Sequence, residues 1–263
     1  MKEQQQREEE EEEEIQKNVL VELKDVTKRF GGLAAVNAVS FSIARGERVG
    51  LIGPNGAGKT TLFNLITGFA RPDSGAIFFE GRNITKMSTS DVVNLGIART
   101  FQIVRPFTRI SVYENVLIPS LSPNARRASG GKAPDEIAMG ALRLTDLIDK
   151  MKFKASELTH GELKRLELAR AIATKPRLLL LDEPFGGLGS NEIGPATDLI
   201  QSLPSLGITL LMIEHRMKEL MKNVGRIIAM DQGSLIASGT PEQVVRNERL
   251  IEAYLGKRLD RVE

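Results

Sequence analysis

The sequence predicts an α/β fold: a parallel sheet of buried strands with helices packed on both faces. Three observations carry the prediction. The segments RVGLI at Arg48–Ile52, RLLLLD at 177–182 and ITLLMI at 208–213 are apolar without alternation, as strands buried on both faces tend to be. Stretches with helical spacing separate them, as parallel strands require. A glycine-rich segment follows the first strand directly and leads into residues 61–67, readable as a helix.

The remaining elements follow in order. Residues 19–23 and 41–43 read as strands, and 76–79 as a strand entering a turn at Glu80-Gly81. The helix after the glycine loop runs to about Gly68, a C-cap. Residues 86–175 are mainly helical by pattern, with a loop at 122–133 (SPNARRASGGKA). Residues 226–230 and 234–238 form a hairpin across Asp231-Gln232-Gly233. Thr240 is an N-cap, with Pro241 at the first helical position and Gln243 at the third. No internal repeat is visible. Met212, Met217, Met221 and Met230 read as core fillers.

Composition narrows the function classes. Of 263 residues, 41% are apolar and 27% charged, which suits one large domain. No apolar run approaches the roughly 18–20 residues of a membrane span, and no apolar signal region is expected at the start. The absence of cysteine excludes disulfides and thiolate metal sites and fits a reducing cytoplasm. Two histidines, His160 and His215, exclude a histidine-rich metal site. Lys2 and Arg7 stand against Glu3 and the seven acids Glu8 to Glu14, a net −6 that leaves +8 for the rest of a +2 chain. The acidic run repels itself, so residues 1–17 are expected to be a disordered tail and 18–263 the folded domain. The basic excess fits a nucleotide ligand or an anionic membrane face and decides neither; no nucleic-acid partner is expected.

The glycine segment, Gly53-Pro54-Asn55-Gly56-Ala57-Gly58-Lys59-Thr60, fits G-x-x-x-x-G-K-[ST] without exception. Glycines let successive backbone N–H groups turn toward a polyphosphate, and the helix beginning near Thr60 and Thr61 adds its positive end. Lys59 is placed to reach the β- and γ-phosphates, and the Thr60 hydroxyl to bind Mg²⁺. LLLLDE delivers two acids at the C-terminal edge of a buried strand, where open α/β sheets bind ligands. Asp182 is expected to hold Mg²⁺ and Glu183 to act as general base on the attacking water.

With these motifs the chain resembles the ABC ATPases over residues 19–256. The resemblance implies a P-loop NTPase core of ABC type with an antiparallel β subdomain and a helical subdomain at about 86–175. It implies ATP and Mg²⁺ as ligands. Leu158-Thr159-His160-Gly161-Glu162 occupies the place of the family signature Leu-Ser-Gly-Gly-Gln, so Thr159 and Gly161 would contact the γ-phosphate of ATP held by the opposite subunit. His160 and Glu162 depart from the pattern. Gln102 matches the glutamine that connects the Mg²⁺ site to the helical lobe, and with Thr60 and Asp182 it would be a ligand of the metal. His215 matches the histidine that contacts the γ-phosphate, and Phe30, beside Gly31-Gly32, the aromatic that stacks on adenine. After Asp182-Glu183-Pro184 the family continues Ser-Ala-Leu-Asp; here Phe185-Gly186-Gly187-Leu188-Gly189 puts glycine where an aspartate crosses the dimer interface.

Three function classes compete: a transporter's energy subunit, an ABC protein acting on DNA or ribosomes, and a catalytically silent module. The DNA-repair type needs a long coiled-coil insertion, the translation type two cassettes, and the silent module would lack residues such as Lys59, Asp182, Glu183 and His215. The stretches Arg29-Phe30-Gly31-Gly32-Leu33, Asn64-Leu65-Ile66-Thr67-Gly68-Phe69, Arg99-Thr100-Phe101-Gln102 and Ile213-Glu214-His215-Arg216-Met217 are similar to those of branched-chain amino-acid importer ATPases. ATPases for urea or short amides and for lipopolysaccharide export are also similar. The resemblance implies a homodimer or a heterodimer with a second ABC ATPase, docked on integral membrane permease subunits at the cytoplasmic face of the inner membrane. Phe107, Val112 and Tyr113 are the expected permease contacts.

Overall fold

The computed structural model describes residues 18–102 and 105–259; the acidic run expected as a tail lies outside them. The strands in chain order are β1 (Val19–Phe30), β2 (Leu33–Ala44), β3 (Arg48–Ile52), β4 (Ser74–Phe79), β5 (Arg82–Asn83), β6 (Ile97–Arg99), β7 (Leu178–Asp182), β8 (Thr209–Ile213), β9 (Arg226–Asp231) and β10 (Ser234–Gly239). The helices are α1 (Lys59–Ile66), α2 (Thr89–Asn94), α3 (Val112–Ser120), α4 (Pro123–Ala128), α5 (Pro134–Leu144), α6 (His160–Ala173), α7 (Ser190–Ser202), α8 (Met217–Asn223), α9 (Pro241–Val245) and α10 (Glu248–Leu259).

A six-stranded sheet runs β10-β9-β3-β8-β7-β6, parallel except for the edge strand β10. Its unbroken apolar strands feed two cores. Val49, Leu51, Leu178, Leu180, Leu211 and Ile213 face one side, packed with α1 and a second, antiparallel sheet ordered β2-β1-β4-β5. Leu179, Leu181, Leu210 and Met212 face the other, packed with α3 and α5 to α8. Phe63 of α1 is fully buried between the two sheets, a contribution of about 1.5–3 kcal/mol for a side chain of that size.

β1 and β2 run far beyond the short strands expected at 19–23 and 41–43. Register shifts between Leu23 and Val26 and between Val26 and Lys28 break the two-residue alternation that marks a strand in sequence. β6 lies inside the stretch read as helical; three residues between α2 and the next loop are too few to show a period. The stretch read as a loop at 122–133 holds α4, which Ser122 caps by accepting from the Ala125 N–H, with Pro123 in the first turn. Val112, expected at the docking surface, is wholly buried at the start of α3 and belongs to the core. Tyr113 is only partly buried, and its hydroxyl donates to Asp135. Met212 and Met230 are fully buried and Met217 and Met221 pack against the core, as read.

The hairpin β9–β10 turns at Gln232 and Gly233, both with positive φ, at 45° and 82°. Thr240 caps α9 in a capping box with Gln243. The hairpin turn also braces the glycine loop: Gly233 N–H donates to Ala57 O at 3.1 Å, and Gly233 O accepts from Asn37 N–H at 2.8 Å.

Candidate active site

The loop between β3 and α1 folds as its glycines require. Gly53, Gly56 and Gly58 have φ of 151°, 83° and 101°, a region that side-chain-bearing residues avoid. A Cβ on Gly53 would lie 2.2 Å from Met230 O, and one on Gly58 2.1 Å from Ala35 O. Lys59 is buried and its Nζ donates to Gly53 O at 2.6 Å and Pro54 O at 3.1 Å. Asn55, Gly56 and Thr60 are exposed, Pro54 and Ala57 buried, and Thr61 partly buried. The first turn of α1 carries no acid, which leaves its positive end free of a built-in counter-charge.

The end of β7 supplies the acids. Glu183 has a φ of 50°, a left-handed conformation that costs a non-glycine residue about 1 kcal/mol and is characteristic of functional turns. Its carboxylate collects two of the expected residues. Gln102 Nε2 donates to both oxygens at 3.2 Å, and His215 Nε2 lies 3.1 Å from Oε1. Asp182, the preceding residue, is buried, and its Oδ2 accepts from Arg99 Nη2 at 2.7 Å. Glutamine, histidine and glutamate thus converge at the C-terminal edge of the parallel sheet, the edge from which the glycine loop also departs.

The Thr159–Glu162 stretch forms the start of α6 as a reciprocal cap. Glu162 N–H donates to Thr159 Oγ1 at 3.3 Å, and Glu162 Oε2 accepts from Thr159 N–H at 2.8 Å. The Thr159 N–H bond holds the Glu162 carboxyl below its usual range. The carboxylate is therefore used inside the helix start. His160 Nε2 lies 3.3 Å from Gly186 O, which joins this helix to the loop following Glu183. Gly161 is buried; Gly189 caps α7, its N–H donating to Glu192 Oε2 at 2.9 Å. Phe30 is 57% exposed at the β1–β2 turn, with Lys28 Nζ 5.6 Å from its ring centroid.

Residues not picked out in the sequence support this site. From α6, Lys164 Nζ donates to Gln102 O at 3.2 Å, Glu167 Oε1 accepts from Phe101 N–H at 2.6 Å, and Arg170 Nη1 donates to Arg105 O at 2.9 Å. Their spacing of three residues puts them on one helix face, the only sequence signal they offer. Burial pushes the Glu167 carboxyl above its ordinary range. From α10, Tyr254 OH accepts from Gly53 N–H at 3.1 Å. A cavity of about 260 Å³ lies between α6 and α7, lined mainly by apolar side chains such as Leu168, Leu188 and Leu199; the glycine loop does not border it.

The parallel sheet, the glycine loop and the acid pair define a P-loop ATPase. The ABC transporter family model matches residues 36–186, and that of the branched-chain amino acid ATP-binding cassette transporters matches 234–260. The high-affinity branched-chain amino acid transport ATP-binding protein LivG of Salmonella typhimurium is 39% identical over 251 residues, covering 90% of this chain and 98% of LivG. BraF of Pseudomonas aeruginosa, of the same description, is 38% identical over 252 residues, with 90% and 98% covered. A nucleotide-free ATP-binding cassette from an ABC transporter superposes with a TM-score of 0.81 at 31% identity, over 90% of this chain and 98% of that one. A cassette in its ADP conformation gives 0.79 at 31% identity, over 90% and 99%. The chain belongs to the ABC transporter family, as one of its ATP-hydrolysing subunits.

Proposed function

We propose that the chain powers uptake of branched-chain amino acids through separate permease subunits, with catalysis centred on Glu183. The convergence of Gln102 and His215 on the Glu183 carboxylate, next to Asp182, carries the catalytic part of this reading. The backbone N–H groups of residues 56–61 and Lys59 hold the phosphates. To do so Lys59 leaves Gly53 O and Pro54 O, so the loop tightens around the ligand in their place. Phe30, exposed at the β1–β2 turn, stacks on the base.

The Thr60 hydroxyl and Asp182 carboxylate are hard oxygen donors suited to Mg²⁺. Among the described residues no group of three or more acids or histidines is arranged to hold a metal ion by itself, and magnesium held with phosphate and water needs none. When bound, Mg²⁺ neutralises charge on the phosphates. Glu183 takes a proton from the attacking water while Gln102 orients its carboxylate. His215 turns from Glu183 to the γ-phosphate as charge grows there. Thr159 and Gly161, with the N-terminus of α6, complete the site on an opposing subunit.

His215→Ala is expected to lower kcat about a hundredfold with KM little changed, because the lost contact strengthens only in the transition state. Steady-state kinetics check this, and an unchanged kcat returns His215 to a structural role.

No helix among the described residues is long and apolar enough to cross a membrane, so transport work requires a partner that does. Phe107, Ile118, Leu121 and Phe153 are exposed apolar side chains in the helical region that follows Gln102, and they form the docking face for the permease. Phe107→Glu is expected to abolish co-sedimentation with permease-containing membranes while ATP binding by the free subunit survives. Retained co-sedimentation removes Phe107 from that face. The names of LivG and BraF and the C-terminal family match support the cargo. Cells lacking the protein are expected to lose high-affinity uptake of leucine, isoleucine and valine; normal uptake of all three overturns the cargo reading.

A further inference from the structure

Arg99 contacts Asp182 and stands outside the residues that would handle phosphate and water. It ends β6, and its Nη2 and Nη1 donate to Asp182 Oδ2 at 2.7 Å and to Asn64 Oδ1 at 2.6 Å. The Arg99 and Asp182 side chains are 6% and 8% exposed. The guanidinium carbon lies 5.3 Å from the ring centroid of Phe63 and 5.1 Å from that of Phe101. Thr100, the next residue, accepts from the Asp182 N–H through Oγ1 at 3.2 Å. Arg99 Nε is buried without a hydrogen-bond partner among the described residues.

A guanidinium buried with one donor unsatisfied is a costly way to fill space between two aromatic rings, and an apolar side chain would fill it better. The charge is therefore explained by its partner. Asp182 is a carboxylate stripped of most of its water at the nucleotide edge of the sheet, and such a group needs a positive neighbour whenever no cation is bound. Asn64 belongs to α1, the helix that opens with Lys59 and Thr60. Arg99 thus ties the acid to the helix that carries the phosphate-binding residues.

We propose that Arg99 is the counter-ion and positioning residue of Asp182, holding the carboxylate oriented when the metal site is empty and sharing it with the metal when nucleotide is bound. This rests on Asp182 being the metal ligand. Two consequences separate it from a merely structural arginine. The guanidinium and the metal repel each other and draw on one carboxylate, so removing the charge tightens metal binding. The protein also depends on Arg99 more when empty than when loaded.

The test uses the full chain with ADP and Mn²⁺ as the metal probe, titrated by electron paramagnetic resonance. Arg99→Gln is expected to lower the Mn²⁺ dissociation constant about fivefold, and Arg99→Lys to leave it near the wild-type value. The melting temperature of Arg99→Gln is expected to fall in the empty protein and to recover toward wild type with Mn²⁺ and ADP. If the glutamine variant does not fold, Arg99→Met is titrated in its place, since a thioether suits the two rings. Unchanged or weaker Mn²⁺ binding in a folded variant overturns the proposal, as does a melting deficit equal in empty and loaded protein. Asp182→Asn is the control and is expected to weaken Mn²⁺ binding at least about tenfold. If it does not, the metal-ligand reading fails and takes the proposal with it. If it does while the Arg99 variants behave as wild type, only the proposal fails.

Discussion

Glu183→Gln is expected to bind ATP, to stop turning it over, and to accumulate as an ATP-bound dimer. The amide keeps nearly the shape of the carboxylate but loses its charge and its basicity. Gln102 and His215 lose the carboxylate they share, and the water loses its proton acceptor. A positioned general base is worth about 10²–10⁴ in rate, so turnover should fall by about a thousandfold. Phosphate release measures the rate. Light scattering measures the dimer, which is expected to persist because, on the proposed reading, ATP joining the phosphate loop of one subunit to Thr159 and Gly161 of another would no longer be consumed. Turnover near the wild-type rate removes Glu183 from the role of base.

Gly58→Ala is expected to abolish tight ATP binding and to destabilise the empty protein. The position has a φ of 101°, and a Cβ there would lie 2.1 Å from Ala35 O. Ala35 belongs to β2, whose neighbour Ala34 pairs with Arg29, so its carbonyl has little freedom to retreat. A strained φ costs about 1–2 kcal/mol, and the collision adds to it. The loop shifts instead, and its N–H groups lose their aim on the phosphates. Affinity is expected to fall at least tenfold, about 1.4 kcal/mol, by fluorescent-nucleotide titration. Gly56→Ala isolates the strain, since φ is 83° but nothing lies within 4 Å of the added carbon. Its melting temperature should drop by less than that of Gly58→Ala; equal drops would mean that the Ala35 contact yields freely.

The parallel sheet and the phosphate loop were legible because each is a local signal. Unbroken apolar runs mark buried strands, and the glycine–lysine spacing answers to one ligand chemistry. Gln102 and His215 were singled out by resemblance alone, for the magnesium site and the γ-phosphate; their meeting at the Glu183 carboxylate was not legible, since 81 residues part Gln102 from Glu183 and no spacing rule spans that distance. The role of Glu162 is carried by a local pattern. Thr-x-x-Glu before a helix is a capping pattern, and the structure uses the carboxylate there. The partner of Arg99 was not legible, because an arginine in Arg99-Thr100-Phe101 carries no mark of a partner in a strand 83 positions away. The extent of β1 and β2 was hidden by bulges, which cancel the alternation that reveals a strand.

The three contacts from α6 to the segment around Gln102 have a mechanical meaning. Lys164, Glu167 and Arg170 clamp Phe101, Gln102 and Arg105 along two turns of helix. With three anchor points the helix acts as a stiff bar bolted to that segment. Thr159 and Arg170 are about 16 Å apart along the bar, so a tilt of about 10° pivoting at Arg170 swings the Thr159 end by roughly 3 Å. That is a full hydrogen-bond length. On the proposed reading the end that would touch a neighbour's ATP and the glutamine beside this subunit's own Glu183 would move in step, and loosening the Glu167 or Arg170 bolt would put slack into the linkage while leaving Thr159 and the Lys164–Gln102 contact in place.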